Sequence, residues 1–169
     1  PEPLDPSAPD VRGAWRPLMG AADRAIDWRR DDTATVLRKI RSADGFPGVR
    51  HRIGDNEFAL FDAHPAGKLK GVPGEIIGRR HEAVCLATAD GAVWITHLQP
   101  IATDGERSFK RPAVVALGSV LEGVPEIPAW GDETTWRDIW YEEKGAIGYV
   151  HFPFYNGAMS TDQCRRLES

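Results

Sequence analysis

Apolar residues recur at two different periods along this chain, and each change of period marks a new part. Residues 1–22 show no period, and Pro1, Pro3, Pro6, Pro9 and Pro17 interrupt any long helix. They read as an extended connector. Val36, Leu37 and Ile40 then share one helical stripe. Asp31 or Asp32 can cap a helix over 32–43, and Arg38, Lys39 and Arg41 sit toward its C-terminal end, where the helix dipole favours cations. Asp44-Gly45-Phe46-Pro47-Gly48 stops that helix. From there alternation predicts strands. Val49–Ile53 and Phe58–Ala63 flank a Gly54-Asp55-Asn56 turn, and Glu75–Arg80, Ala83–Thr88 and Ala92–Leu98 follow, the last two joined by a tight Asp90-Gly91 turn.

One helix followed by about five short antiparallel strands is the pattern of a small OB-like Greek-key β-barrel, so the fold class is mainly β with some α. Residues 23–100 are assigned to it. Residues 101–138 read as a linker, with a short helix near Ala113–Leu121 and a proline-broken stretch from Val124 to Trp130. Residues 139–169 hold a further hairpin, Ile139–Glu143 with Ala146–Phe152, and then a capping-box start at Ser160-Thr161-Asp162-Gln163. The chain begins without Met and stops inside that last helical pattern, which predicts a fragment of a longer protein. A lone hairpin is marginal in water, so residues 139–152 are expected either to pack on the barrel or to be weakly held.

Composition narrows the function classes. No apolar run approaches the ~20 residues that span a bilayer, and no signal-peptide pattern is present. Cys85 and Cys164 lie far apart with different neighbours, which suggests two small buried hydrophobes in a reduced, cytoplasmic setting. The formal net charge is −4, and the barrel segment 24–100 carries only +2. Phosphate-driven nucleic-acid binding needs clustered cations, so charge speaks against that partner.

Several stretches resemble a known family. Ile26-Asp27-Trp28, Phe46-Pro47-Gly48, Gly71-Val72-Pro73-Gly74 and Asp90-Gly91-Ala92-Val93-Trp94-Ile95 resemble the C-terminal barrel of formyltetrahydrofolate-dependent formyltransferases, such as methionyl-tRNA formyltransferase. Further on, Ser108-Phe109-Lys110-Arg111-Pro112-Ala113 precedes Ile139–Tyr149. His151-Phe152-Pro153-Phe154-Tyr155-Asn156-Gly157-Ala158-Met159-Ser160 then resembles the opening of enoyl-CoA hydratase (crotonase) domains. A formyltransferase barrel joined to a crotonase start is similar to the layout of HypX-type hydrogenase maturation factors. The resemblance implies a parent that uses 10-formyltetrahydrofolate and coenzyme A to make carbon monoxide through formyl-CoA. It also implies that this piece binds neither cofactor tightly alone. Its implied partners are the catalytic halves on either side and the hydrogenase maturation machinery.

The catalytic signatures of that family are not in this stretch. His64-Pro65 is followed by Ala66-Gly67-Lys68, unlike the family's His-Pro-Ser-Leu-Leu-Pro segment, and the Gly-rich oxyanion turns of crotonases lie well beyond a first helix. His81-Glu82-Ala83-Val84-Cys85 has Cys where a zinc-protease helix needs its second His, so neither a catalytic residue nor a metal ligand is assigned. Gly67–Gly74 lacks the Gly-Lys-Ser/Thr of a phosphate loop. The cofactor-binding candidates are Arg16, Arg24 and Trp28 in the entry segment. The arginines could pair with a CoA phosphate or a folate carboxylate, and the indole could stack on a ring. The plainer alternatives are surface ion pairs and domain packing. Trp136, Trp140 and Tyr141 carry the same choice between packing and contact with CoA. Three functions are therefore weighed: a non-catalytic bridge between two active sites, a tRNA-binding module, and an interaction domain unrelated to CoA.

Overall fold

The extended connector ends earlier than the prolines suggest. In the computed structural model, Ala21–Arg24 form a helical turn, α1, because the Asp23 carboxylate reaches back to accept the Gly20 N–H at 2.7 Å. The structure describes residues 5, 7–9, 12, 13, 16–101, 108–129, 135–153, 155–157 and 159–168. Pro1, Pro3, Pro6, Trp130, Phe154 and Ala158, all used in the sequence reading, lie outside these. Helix α2 spans Thr33–Ser42. Asp32, rather than Asp31, caps it by accepting the Thr35 N–H at 2.7 Å, while Asp31 pairs with Lys39 at 2.6 Å. Val36 and Ile40 of its stripe are fully buried.

Five strands follow: β1 (Val49–Ile53), β2 (Asn56–Pro65), β3 (Ile76–Arg80), β4 (Ala83–Ala87) and β5 (Ala92–Pro100). They pair antiparallel in the order β1-β2-β5-β4-β3. Strand β5 returns past β3 and β4 to lie beside β2, which is the Greek-key connection. A two-residue strand, β6 (Arg111–Pro112), adds to β5 beyond the end of β4. The edges β1 and β3 are not hydrogen-bonded to each other. Both border the same core, in which Val49, Ile53 and Ile76 pack together with α2. Trp28 spans that gap: its indole N–H donates to His51 Nδ1 on β1 at 3.1 Å, and a Cβ at Gly74, just before β3, would sit 3.3 Å from it.

A one-sided barrel buries alternate residues, but β4 is buried at all five positions. Two cores explain this. Val84 and Leu86 face the inner core, which α2 and α3 (Ala113–Leu117) close. Ala83 and Cys85 face an outer core with Ala92 and Trp94, and Ile127 and Trp136 of the linker cover that core. The linker is thus part of the fold. Arg79 N–H donates to the Pro125 carbonyl at 2.9 Å, and Ile127 N–H returns to the Arg79 carbonyl at 2.8 Å. Arg80, 2% exposed, donates to the carbonyls of Ile127, Pro128 and Trp136 at 2.6–2.7 Å, with its guanidinium 4.4 Å from the Trp94 ring.

After the linker, β7 (Trp140–Lys144) and β8 (Ile147–His151) form a separate hairpin that exposes Tyr141, Ile147 and Val150. Trp140 stacks on His151 across it, with ring centroids 3.8 Å apart. Helix α4 (Thr161–Glu168) starts with the expected capping box: Ser160 N–H donates to Gln163 Oε1 at 3.0 Å and Gln163 N–H to Ser160 Oγ at 3.1 Å. The expectation that both cysteines are buried fails at Cys164. Helix α4 packs through Gln163 and Arg166, and Cys164 lies off that face.

Candidate functional site

The polar groups of this chain converge where β2 and β5 turn a corner. Phe58 and Leu60 point into the inner core from β2, and beyond Asp62 the inward residue is Ala63. On β5, Leu98 points inward on one side of the corner and Ile95 and Val93 on the other. Both strands change face together at the Asp62–Thr96 level. Asp62 makes this possible by adopting a left-handed backbone (φ 53°), a conformation that Asp tolerates better than most residues. Its N–H donates to Asp44 Oδ1 at 2.5 Å, which fixes the bend to the end of α2.

The corner aims Asp62, Thr96 and His97 at a cavity of about 280 Å³ that Pro153, Tyr155, Met159 and Gln163 line from the other side. Asp62 accepts the Thr96 hydroxyl on one oxygen and lies 2.9 Å from His64 Nε2 on the other. Burial pushes this carboxyl up, but the His64 and Thr96 hydrogen bonds and nearby His97 outweigh it, and Asp62 ends below its ordinary value. Thr96 Oγ1 is also 2.8 Å from His97 Nδ1. Burial lowers His97 despite Asp62 and Glu82 close by. The His97 ring lies 4.3 Å from that of Tyr155. Burial, with Asp44 and Asp62, raises the Tyr155 phenol.

Lys110 and Asp138 tie the later segments to this corner. The Lys110 ammonium lies 3.9 Å from the centre of the Phe61 ring and donates to the carbonyls of Asp44 and Gly45 at 2.9 and 3.2 Å and to the Tyr155 hydroxyl at 3.2 Å. Asp138, 5% exposed, accepts from Arg166 of α4 and from the Ile139 N–H, with His81 3.8 Å away. Asp62, Lys110 and Asp138 thus each have a local partner, and Glu82 lines the same cavity. Thr96, the hydroxyl beside His97, is spent on Asp62 and is 4% exposed, so it is not presented as a nucleophile. Cys85 is buried, which pushes its thiol up to about 12 and keeps it inert. No cluster of three His, Cys, Asp or Glu able to hold a metal occurs among the described residues. The geometry is that of a joint between chain segments.

The cofactor candidates from the sequence do not come together there. Arg16 is exposed. Arg24 is half-buried, donates to the Met19 carbonyl at 2.6 Å, and lines a separate small pocket of about 90 Å³ with Pro47 and Arg50. Trp28 is 8% exposed and belongs to the inner core. Trp136 is half-buried and packs on Trp94 and His64, whereas Trp140 and Tyr141 are exposed on the hairpin. Sequence reasoning missed Asp62, His97, Lys110 and Asp138. An Asp in the middle of an apolar strand was the available signal for the first.

The architecture has a known counterpart. Residues 19–107 match the model of the formyl transferase C-terminal domain. The chain belongs to this family. Over 167 residues, 99% of the chain, it is 43% identical to the hydrogenase maturation factor HoxX of Bradyrhizobium diazoefficiens, and so spans 28% of that relative's length. Methionyl-tRNA formyltransferase from Paraburkholderia xenovorans is 36% identical over 83 residues, 48% of the chain and 25% of the enzyme. Among solved structures, HypX from Aquifex aeolicus in complex with tetrahydrofolic acid superposes with a TM-score of 0.83 at 46% identity, over 93% of this chain and 28% of that one. The match to HoxX and HypX runs through the barrel, linker, hairpin and last helix, whereas the formyltransferase match covers only about half. This chain of the formyl transferase C-terminal family is therefore a homologue of the HypX/HoxX hydrogenase maturation factors.

Proposed function

We propose that this chain is the bridge of a HypX-type protein. That protein makes carbon monoxide for hydrogenase assembly from 10-formyltetrahydrofolate by way of formyl-CoA. The bridge makes and breaks no bonds. It holds a formyltransferase-like half and a crotonase-like half so that formyl-CoA passes between them with little escape, in the cytoplasm. The observation that carries this reading is the seating of Tyr155 and Arg166 on the barrel and its linker, through Tyr155 on His97 and Lys110 and through Arg166 on Asp138. A free linker would leave the two sites at a variable distance, and a fixed one sets it. The tetrahydrofolate in the Aquifex relative supports folate use by the parent. Arg16 and Arg24 are the proposed contacts for a CoA phosphate or folate carboxylate, and Trp28 anchors the segment that carries them.

The test uses the full-length parent with 10-formyltetrahydrofolate and coenzyme A. Tyr155→Ala combined with Asp138→Asn should leave formyl transfer intact while free formyl-CoA accumulates and carbon monoxide per formyl group falls. An unchanged ratio, in protein whose residues 153–166 exchange amide hydrogens freely, would refute the bridging role.

A further inference from the structure

The joint at the β2–β5 corner uses most of the polar groups that line its cavity. The Lys110 ammonium has three N–H donors, and the Asp44 and Gly45 carbonyls and the Tyr155 hydroxyl take all three. Tyr155 donates its own O–H to the Asp44 carbonyl at 3.3 Å. Asp138 accepts from the Ile139 N–H on one oxygen and from Arg166 on the other. Asp62 is likewise occupied on both oxygens, by Thr96 and His64. Two acceptors are left over. One is the Glu82 carboxylate, which lines the cavity, is half-buried, and makes no hydrogen bond or ion pair with any described residue. The other is on His97.

The tautomer of His97 follows from its neighbours. Asp62 is held below its ordinary value, so at neutral pH it is ionised and can only accept. Thr96 therefore directs its single O–H to Asp62, and its oxygen accepts from His97, whose Nδ1 lies 2.8 Å away. A neutral imidazole with its proton on Nδ1 carries a bare lone pair on Nε2. No described residue donates to that nitrogen. Burial keeps the ring neutral against the attraction of Asp62, Glu82 and Asp44, and Lys110 acts in the same sense as burial. The rest of the lining is apolar in part: Pro112 and Trp136 from the barrel and linker, Pro153 and Met159 from the last segment.

We propose that this cavity binds a small primary ammonium ion carried on a short hydrocarbon stem. Its N–H groups donate to the Glu82 carboxylate and to His97 Nε2, the two acceptors that the joint leaves unused, and its stem lies against Pro112, Trp136 and Met159. Charge selects the cation. Of the carboxylates that line the cavity, Asp62 and Asp138 have their donors and Glu82 has none among the described residues. An anion would meet Glu82 without a free cation to receive it, because Lys110 is already saturated. The Trp136 ring adds a face that favours a cation over a neutral group. A volume of about 280 Å³ is at the small end of ligand sites, which favours a short amine over a cofactor-sized molecule. The ligand sits between the barrel and the segment that carries Tyr155, Met159 and Gln163, so its binding also braces that segment. The inference stands on the cavity and does not need the bridging role.

The experiment is isothermal titration calorimetry of the full-length parent with n-butylammonium chloride, with 1-butanol and sodium butyrate as the neutral and anionic counterparts of the same chain length. Butylammonium should bind one to one with a Kd of about 1 mM, within reach of a ligand of that size, and both counterparts should bind at least tenfold more weakly. Glu82→Gln removes the charge and keeps the shape, and should weaken the amine by roughly tenfold or more, the loss of one charge-assisted hydrogen bond. Lowering the pH from about 7.5 to about 5.5 should weaken it in the unaltered protein, because a proton on His97 Nε2 removes the second acceptor and sets a like charge beside the ammonium. Amide exchange at residues 159–163 should slow in the presence of the amine. Equal affinity for butanol would mean an apolar hole and overturn the proposal. So would the absence of binding heat, an affinity that ignores both Glu82→Gln and pH, or exchange at residues 159–163 that saturating amine leaves unchanged.

Discussion

Arg80 offers the sharpest test of the claim that the linker is part of the barrel. The residue is 2% exposed, and its guanidinium donates to three linker carbonyls at 2.6–2.7 Å and to Thr135 Oγ1 at 3.3 Å and lies over Trp94. Arg80→Met keeps the length of the side chain and removes the fork. Replacing a buried ion pair by apolar residues is often harmless because both charges leave together. Here the partners are backbone carbonyls, which stay. Each buried acceptor left without a donor costs about 1–3 kcal/mol, offset in part because no charge is buried any longer. The expected net loss is about 3–5 kcal/mol. With a urea slope of about 1–3 kcal/mol/M for a protein of this size, the unfolding midpoint should drop by roughly 2 M. Trp94 and Trp136 lie in the affected core, so tryptophan fluorescence reports it directly. Arg80→Lys should recover less than half of the loss, because one ammonium cannot match the planar fork. A methionine variant within about 1 kcal/mol of the wild type would refute the clamp, as would a fully stable lysine variant.

Three further outcomes follow from the same structure. Gly48→Ala should destabilise by at least about 2 kcal/mol in the same urea assay, since a Cβ at φ 77° would also collide with Phe61; a change below about 0.5 kcal/mol would mean that the loop 44–48 is not rigid. Burial lowers His51, His81 and His97, so all three favour the neutral form in the fold. Their folded pKa values lie below the unfolded value of roughly 6.5, so their stability is complete above that pH and is lost as pH falls toward the folded values. Asp62, also lowered, adds a second loss below roughly pH 3.9. Urea midpoints between pH 8 and 5 should slope downward on the acid side, and a flat profile would contradict this burial. Amide exchange should be slow over residues 49–65 and 83–98 and fast over 140–151, where the hairpin is largely exposed; uniform protection would mean that the hairpin is as firmly held as the barrel.

How much of this was legible in the sequence depends on whether the signal is local. Asp32, the Val36–Ile40 stripe and the Asp90-Gly91 turn each act within a few residues, and the elements they specify form where the pattern puts them. The capping box at Ser160 is local in the same sense, and it holds. The linker was illegible because its attachment to Arg80 uses backbone carbonyls, which every residue has. One signal was nevertheless available. The run Ala83–Ala87 is apolar at every position, as a strand covered on both faces must be, so something beyond α2 had to lie on the outside of the barrel. The cavity residues were hidden for a different reason. Asp62, Lys110 and Asp138 are charges whose partners are a His, two carbonyls and an Arg drawn from other segments, and no motif spacing encodes such pairings. The same pairings explain why these residues form no catalytic constellation. A charge that folding neutralises to lock one segment onto another is unavailable to a substrate, and a joint built from such charges gains rigidity from the same pairings that cost it reactivity.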